Sequence, residues 1–153
     1  MPVDPEALLH FPIAPVAQRL LPHVAVLYAL SVGLGQDPVD ARQLDYVDPQ
    51  RALRVLPSMA VVLGHPGFWL ADPRTGVDAV RLVHGEQGIV LHHPIPVGAD
   101  IVGRTRVTGV VDKGPGRGAL LSSAKQGFAG DLRLATTPRT PVLRGDGGCG
   151  GPT

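Results

Sequence analysis

Leu56-Pro-Ser-Met-Ala-Val-Val-Leu-Gly64 is the stretch on which the fold turns. It starts at a proline, stops at a glycine and has no polar side, so it predicts a helix that the rest of the chain must enclose. The sequence downstream supplies the enclosure. Candidate strands over 79–91, 100–112, 118–128 and 131–143 are separated by turn signals at His93-Pro-Ile-Pro-Val-Gly98, Lys113-Gly-Pro-Gly116 and Ala129-Gly130. Four successive strands after one buried helix predict an antiparallel meander wrapped around it, an α+β domain.

Upstream, Val24, Leu27, Tyr28, Ser31 and Leu34 fall at helical spacing and predict an amphipathic helix from Pro22 to Leu34. Residues 36–51 are polar and carry two Asp-Pro pairs, Asp37-Pro38 and Asp48-Pro49, which predict a loop with at most a short strand near 43–47. The organisation expected is an N-terminal extension over 1–21, one domain over 22–144 and a Gly-rich tail over 145–153 that behaves as a linker. In strand 100–112, Arg104, Arg106 and Thr108 share one face while Thr105, Val107 and Val111 share the other. Pro138 and Pro141 cannot donate to a ladder, so the last strand is expected at an edge or broken.

The composition narrows function. The 153 residues include 14 Lys+Arg and 13 Asp+Glu, a net charge of +1, and 44% are hydrophobic. This balance offers no field to gather nucleic acid, and six aromatics provide few stacking platforms for bases. No apolar run approaches the roughly 20 residues of a membrane span, and Met1-Pro-Val-Asp-Pro-Glu6 lacks the basic start of a secretion signal. A lone cysteine, Cys149, forms no internal disulfide, and a cytoplasmic protein is expected.

Chemistry-bearing residues are few. His84 and Glu86, two apart on a strand, would share a face about 7 Å apart and form the best acid–base pair. The bland alternative is a strand start at the sheet rim. His92 and His93 point to opposite faces, a poor geometry for one metal ion, and no metal site is expected. His65, just after the buried stretch, could line a pocket mouth but reads first as an exposed loop histidine, and Lys113-Gly-Pro-Gly-Arg-Gly118 reads as a hairpin turn rather than a phosphate loop, because it opens no helix.

Five stretches carry a family resemblance: Leu27-Tyr-Ala-Leu-Ser-Val-Gly-Leu-Gly35, Val55-Leu-Pro-Ser-Met-Ala-Val-Val-Leu-Gly64, Leu82-Val-His-Gly-Glu-Gln-Gly-Ile-Val-Leu-His92, Val111-Asp-Lys-Gly-Pro-Gly116 and Leu143-Arg-Gly-Asp-Gly-Gly148. In this order, from about Val24 to Gly151, they resemble the N-terminal half of MaoC-like (R)-specific enoyl-CoA hydratases, including the peroxisomal type-2 hydratase. The resemblance implies a hot-dog fold and hydration of a trans-2-enoyl thioester, or the reverse dehydration. The substrate would ride on coenzyme A or an acyl carrier protein, with no further cofactor. In that family a second hot-dog half carries the catalytic Asp and His, in the form aromatic-x-Leu-Ser-Gly-Asp-x-Asn-Pro-aliphatic-His.

Laying Tyr28-Ala-Leu-Ser31 on that opening puts Gly33 at the Asp position and Pro38 at the His position, and neither can move a proton. Asp37 lies one place from the second. By resemblance, Tyr28, Leu56, Met59 and Leu63 line an acyl chain; Lys113 and Arg117, as point charges on the hairpin, could meet the phosphates of coenzyme A. The partner expected is a second hot-dog chain, as a homodimer or as a hetero-oligomer with a catalytic subunit. Three functions follow: a dyad-less hydratase subunit, a non-catalytic acyl-thioester binding module, or a repurposed enzyme using His84, Glu86 or Asp37.

Overall fold

Three long strands set the frame of the computed structural model, which describes residues 3–152. They are β4 (Asp100–Asp112), β5 (Ala119–Ala129) and β6 (Leu132–Leu143), and all three match their expected spans to within a residue. The short strands β1 (Val16–Arg19), β2 (Leu82–Gln87) and β3 (Val90–Leu91) complete an antiparallel sheet of order β1-β4-β5-β6-β2, with β3 also against β6. Helices α1 (Pro5–Leu9), α2 (Pro22–Ser31) and α3 (Ala41–Val47) flank it.

The decisive stretch folds differently from its expectation. Only Pro57–Val61 is helical, and as a 3-10 turn rather than a long α-helix. The reason lies in its last polar groups. The Gly64 N–H donates to Gln18 Oε1 at 3.0 Å instead of continuing the turn, and the carbonyls of Ala60, Val61 and Leu63 all accept from Lys125 Nζ. Met59, Ala60 and Leu63 are buried, whereas Val62 is 47% exposed, so the enclosure is one-sided.

Three further expectations are corrected, and a fourth holds in part. Residues 41–47 form a helix, not a loop or strand, because the Asp40 carboxylate caps the Arg42 N–H at 3.0 Å; the Asp-Pro pairs mark the turns on either side of it. The β6 strand is interior rather than at an edge, and of the two outcomes expected from its prolines it is the broken pairing that occurs, at Pro141. The β2–β6 ladder bulges between His84 and Glu86, opposite Pro141, and the β5–β6 ladder skips the same place, so the missing donor falls where pairing is already broken. In β4 a bulge between Val107 and Gly109 shifts the parity, burying Val110 and Asp112 in place of Val111, while Thr105 and Val107 face inward as expected. Segment 79–91 opens with a 3-10 turn, Ala79–Arg81, and is split into β2 and β3.

Both flanks pack on the sheet. Val3 and Leu8 belong to an apolar cluster with Leu70, Val110, Leu121 and Leu143, and Leu20 belongs to a second one with Met59, Leu63, Ile101 and Leu134. The stretch read as a linker is clasped: the Asp112 carboxylate accepts from the N–H groups of Gly114, Gly148 and Gly150 at 2.8–2.9 Å, and Asp112 N–H donates to Pro152 O. These backbone donors hold the Asp112 carboxyl below its ordinary range.

Candidate functional site

One wall of an open apolar groove is α2. Pro22 starts the helix at a position that needs no N–H, and small Ala25 and Ala29, four apart, let it lie close on the core. Tyr28 O–H donates to Ser58 Oγ at 3.0 Å and ties α2 to the 3-10 turn. Val24, Leu27, Tyr28, Met59 and Val62 line the groove between them, about 500 Å3 in volume. Leu27 on its wall is 66% exposed. At the end of the 3-10 turn the backbone approaches closely: a Cβ on Gly103 would lie 2.0 Å from Gly64 O, so the β4 strand meets the end of the turn through glycine.

Of the residues expected at an acyl chain, Tyr28 and Met59 line this groove, Leu63 lies in the adjoining core, and Leu56 caps the start of the turn. Lys113 and Arg117 are exposed at the β4–β5 hairpin, with Arg117 Nε donating to Lys113 O at 2.6 Å. That hairpin lies at the far end of β4 from Ile101, the core neighbour of Met59, about 35 Å along the strand at ~3.3 Å per residue. The structure does not bring the two groups together.

The acid–base candidates are also separated. Register pairs His84 with Pro141 and Glu86 with Thr140, so the bulge at Gly85 sends the two side chains to opposite faces; the expected shared face is corrected. Both are exposed on the edge strand. Asp37 is exposed between α2 and α3, accepting from the Val39 N–H at 3.0 Å. No hydrogen bond or ion pair joins these three among the described residues. At the exit of α2, Gly33 adopts φ +98°, and Pro38 lies in the exposed turn that follows.

Sequence reasoning passed over a polar band across the concave face. Cross-strand register aligns Thr105, Lys125 and Thr137 in one row and Ser123, Arg139 and Gln87 in the next. This band separates the two apolar clusters. Lys125 is 6% exposed, and its Nζ donates to Ala60 O at 2.9 Å, Val61 O at 2.8 Å and Leu63 O. Burial, with Arg139 nearby, lowers its ammonium to about 8. His65 joins the band: its Nδ1 accepts from the Gly67 N–H at 3.0 Å, and burial, then Arg139 and Lys125, push the imidazole below its ordinary value. The overlooked signal was parity, since Lys125 is in phase with buried Ala119, Leu121 and Ser123.

A curled antiparallel sheet closed over short helical turns defines a hot-dog protein, and solved structures share this fold. A MaoC-like dehydratase from Phytophthora capsici matches with a TM-score of 0.74 at 22% identity, over 94% of this chain and 50% of that one. The ChsH1–ChsH2 complex from Mycobacterium tuberculosis matches with a TM-score of 0.65 at 13% identity, over 97% of this chain and 92% of that one.

The chain belongs to the family of the MFE-2 hydratase 2 N-terminal domain, whose model matches residues 22–145. Among relatives it is 36% identical to 3-hydroxyacyl-thioester dehydratase Y of Mycobacterium tuberculosis, over 82% of this chain and 43% of the relative. It is 35% identical to the peroxisomal enoyl-CoA hydratase 2 of Arabidopsis thaliana, over 80% of this chain and 41% of the relative. The chain thus spans about two fifths of the length of these two relatives. No helix among the described residues is long and apolar enough to cross a membrane.

Proposed function

We propose that this chain is the acyl-binding hot-dog unit of an enoyl-thioester hydratase or 3-hydroxyacyl-thioester dehydratase, and that a second hot-dog unit supplies the Asp and His that move protons. The observation that carries this reading is a family match to the N-terminal type of half, joined to an α2 exit where Gly33 and Pro38 stand in place of titratable groups. The chain's own part is binding. The groove of Val24, Leu27, Tyr28, Met59 and Val62 takes the acyl chain, with Ser58 holding the Tyr28 ring in place. Hydration adds a proton at C2 and hydroxide at C3 of the enoyl group, and both transfers fall to the partner's dyad. The thioester is the substrate on coenzyme A or a carrier protein, and no cofactor is needed.

The exposed apolar surface supports a partner. Leu27, Leu30, Val32 and Val62 are each 47–66% exposed around the groove, and Val83, Val90 and Leu91 are exposed on β2 and β3 at a sheet edge. Two of the similar structures are of complexes, ChsH1–ChsH2 and HadBC, both from Mycobacterium tuberculosis.

Loss of the conjugated-thioester absorbance of a short trans-2-enoyl-CoA tests the proposal. The chain alone, and its His84→Ala and Glu86→Gln variants, should give no turnover. Co-expression with a hot-dog chain bearing the Asp/His segment should restore it, and Leu27→Asp should raise KM in that complex. Turnover by the isolated chain that His84→Ala abolishes would overturn the proposal and place the chemistry on the β2 edge.

A further inference from the structure

We propose that the polar pocket between Arg139, His65 and Thr105 on the concave face binds a carboxylate. This inference stands apart from the acyl groove, because it rests on different residues. The pocket is half-enclosed, holds about 20 Å3 of free space, and has no Asp or Glu in its lining. Arg139, His65 and Thr105 contribute polar groups to it that lack an acceptor.

Arg139 is partly buried in the middle of the sheet and makes no ion pair among the described residues. Its Nη1 faces His65 Nε2 at 3.4 Å. Because His65 Nδ1 accepts from Gly67, a neutral ring carries its proton on Nε2, so two donors confront each other across that gap. Thr105 Oγ1 is buried and has no hydrogen-bond partner. Lys125 adds positive charge to the wall, but its three N–H bonds are spent on backbone carbonyls.

A guanidinium and an imidazole N–H on one small space, with the unpaired Thr105 hydroxyl buried in its wall, ask for a negatively charged acceptor. Among anions, a carboxylate pairs with a guanidinium through two coplanar oxygens, a geometry that the single Arg139 head can meet in full. A carboxylate there neutralises a cluster that otherwise holds buried positive charge unpaired.

The test is an NMR titration of the full chain with sodium acetate at constant ionic strength, with sodium chloride and inorganic phosphate as comparison salts. Acetate should shift the His65 ring, the Thr105 amide and the Arg139 Nε–H along one saturable curve. Arg139→Gln should weaken acetate roughly tenfold or more, and Thr105→Val, which keeps the side chain's shape, a few-fold. The Thr105→Val arm keeps the proposal testable should Arg139→Gln not fold. Linear, unsaturable shifts would overturn the site. Equal saturation by chloride or by phosphate would overturn the carboxylate in favour of any small anion. Unaltered acetate affinity in both variants would overturn the residue assignment.

Discussion

Replacing Lys125 by Met should destabilise the protein by about 3 kcal/mol, and this figure comes from what the ammonium holds. The Met side chain fills similar space but abandons the carbonyls of Ala60, Val61 and Leu63. Each buried acceptor left unsatisfied costs about 1–3 kcal/mol. Two effects offset part of this: the adjoining pocket has room for a water that can satisfy one carbonyl, and the desolvation cost of the buried charge disappears. For a chain of this length about 3 kcal/mol lowers Tm by roughly 6–12 °C. Thermal and urea denaturation measure it, and hydrogen exchange at Val62 and Leu63 should quicken first.

The pH dependence of the same variant sharpens the test. Lys125 sits at about 8 in the native protein against 10.5 ordinarily, so between these values the unfolded chain holds a proton that the native chain has shed. Wild-type stability should therefore rise relative to Lys125→Met as pH climbs from about 8 to about 10.5, with the full desolvation cost present below about 8. A variant whose Tm lies within about 2 °C of wild type, or a stability difference flat across that window, would refute the reasoning.

Gly103 and Gly127 face each other across β4 and β5 and provide a matched pair. Gly103→Ala drives a Cβ into Gly64 O and should cost about 2–4 kcal/mol in urea denaturation, whereas Gly127→Ala, with nothing within 4 Å, should stay within about 0.5 kcal/mol of wild type. Asp112→Asn should free the C-terminal strap, read as faster exchange at Gly148 and Gly150 and faster trypsin cleavage after Arg144. Because the native Asp112 carboxyl lies below its ordinary 3.8, its contribution is intact above that value and fades as pH falls through the native one. The wild-type strap should thus loosen in acid by a step that the variant lacks.

Much of this architecture is legible in the chain by itself. Alternating apolar residues bounded by Gly and Pro turns mark β4, β5 and β6, because strand parity and turn stereochemistry are local properties. The five family stretches and the replacement of the dyad positions by Gly33 and Pro38 are likewise read directly from residue identities. What tertiary structure decided depends on partners distant in sequence. Residues 56–64 are apolar enough for a buried helix, yet Lys125, more than 60 positions away, and Gln18 take the polar groups a longer helix would have paired within itself. His84 and Glu86 lost their shared face to a bulge set by Pro141 on the neighbouring strand. Lys125 and Arg139 stand out only once register places them on the inner face of a curled sheet. Periodicity reports which way a side chain points, while which charges a closed sheet traps depends on which strands pair and how far each is shifted.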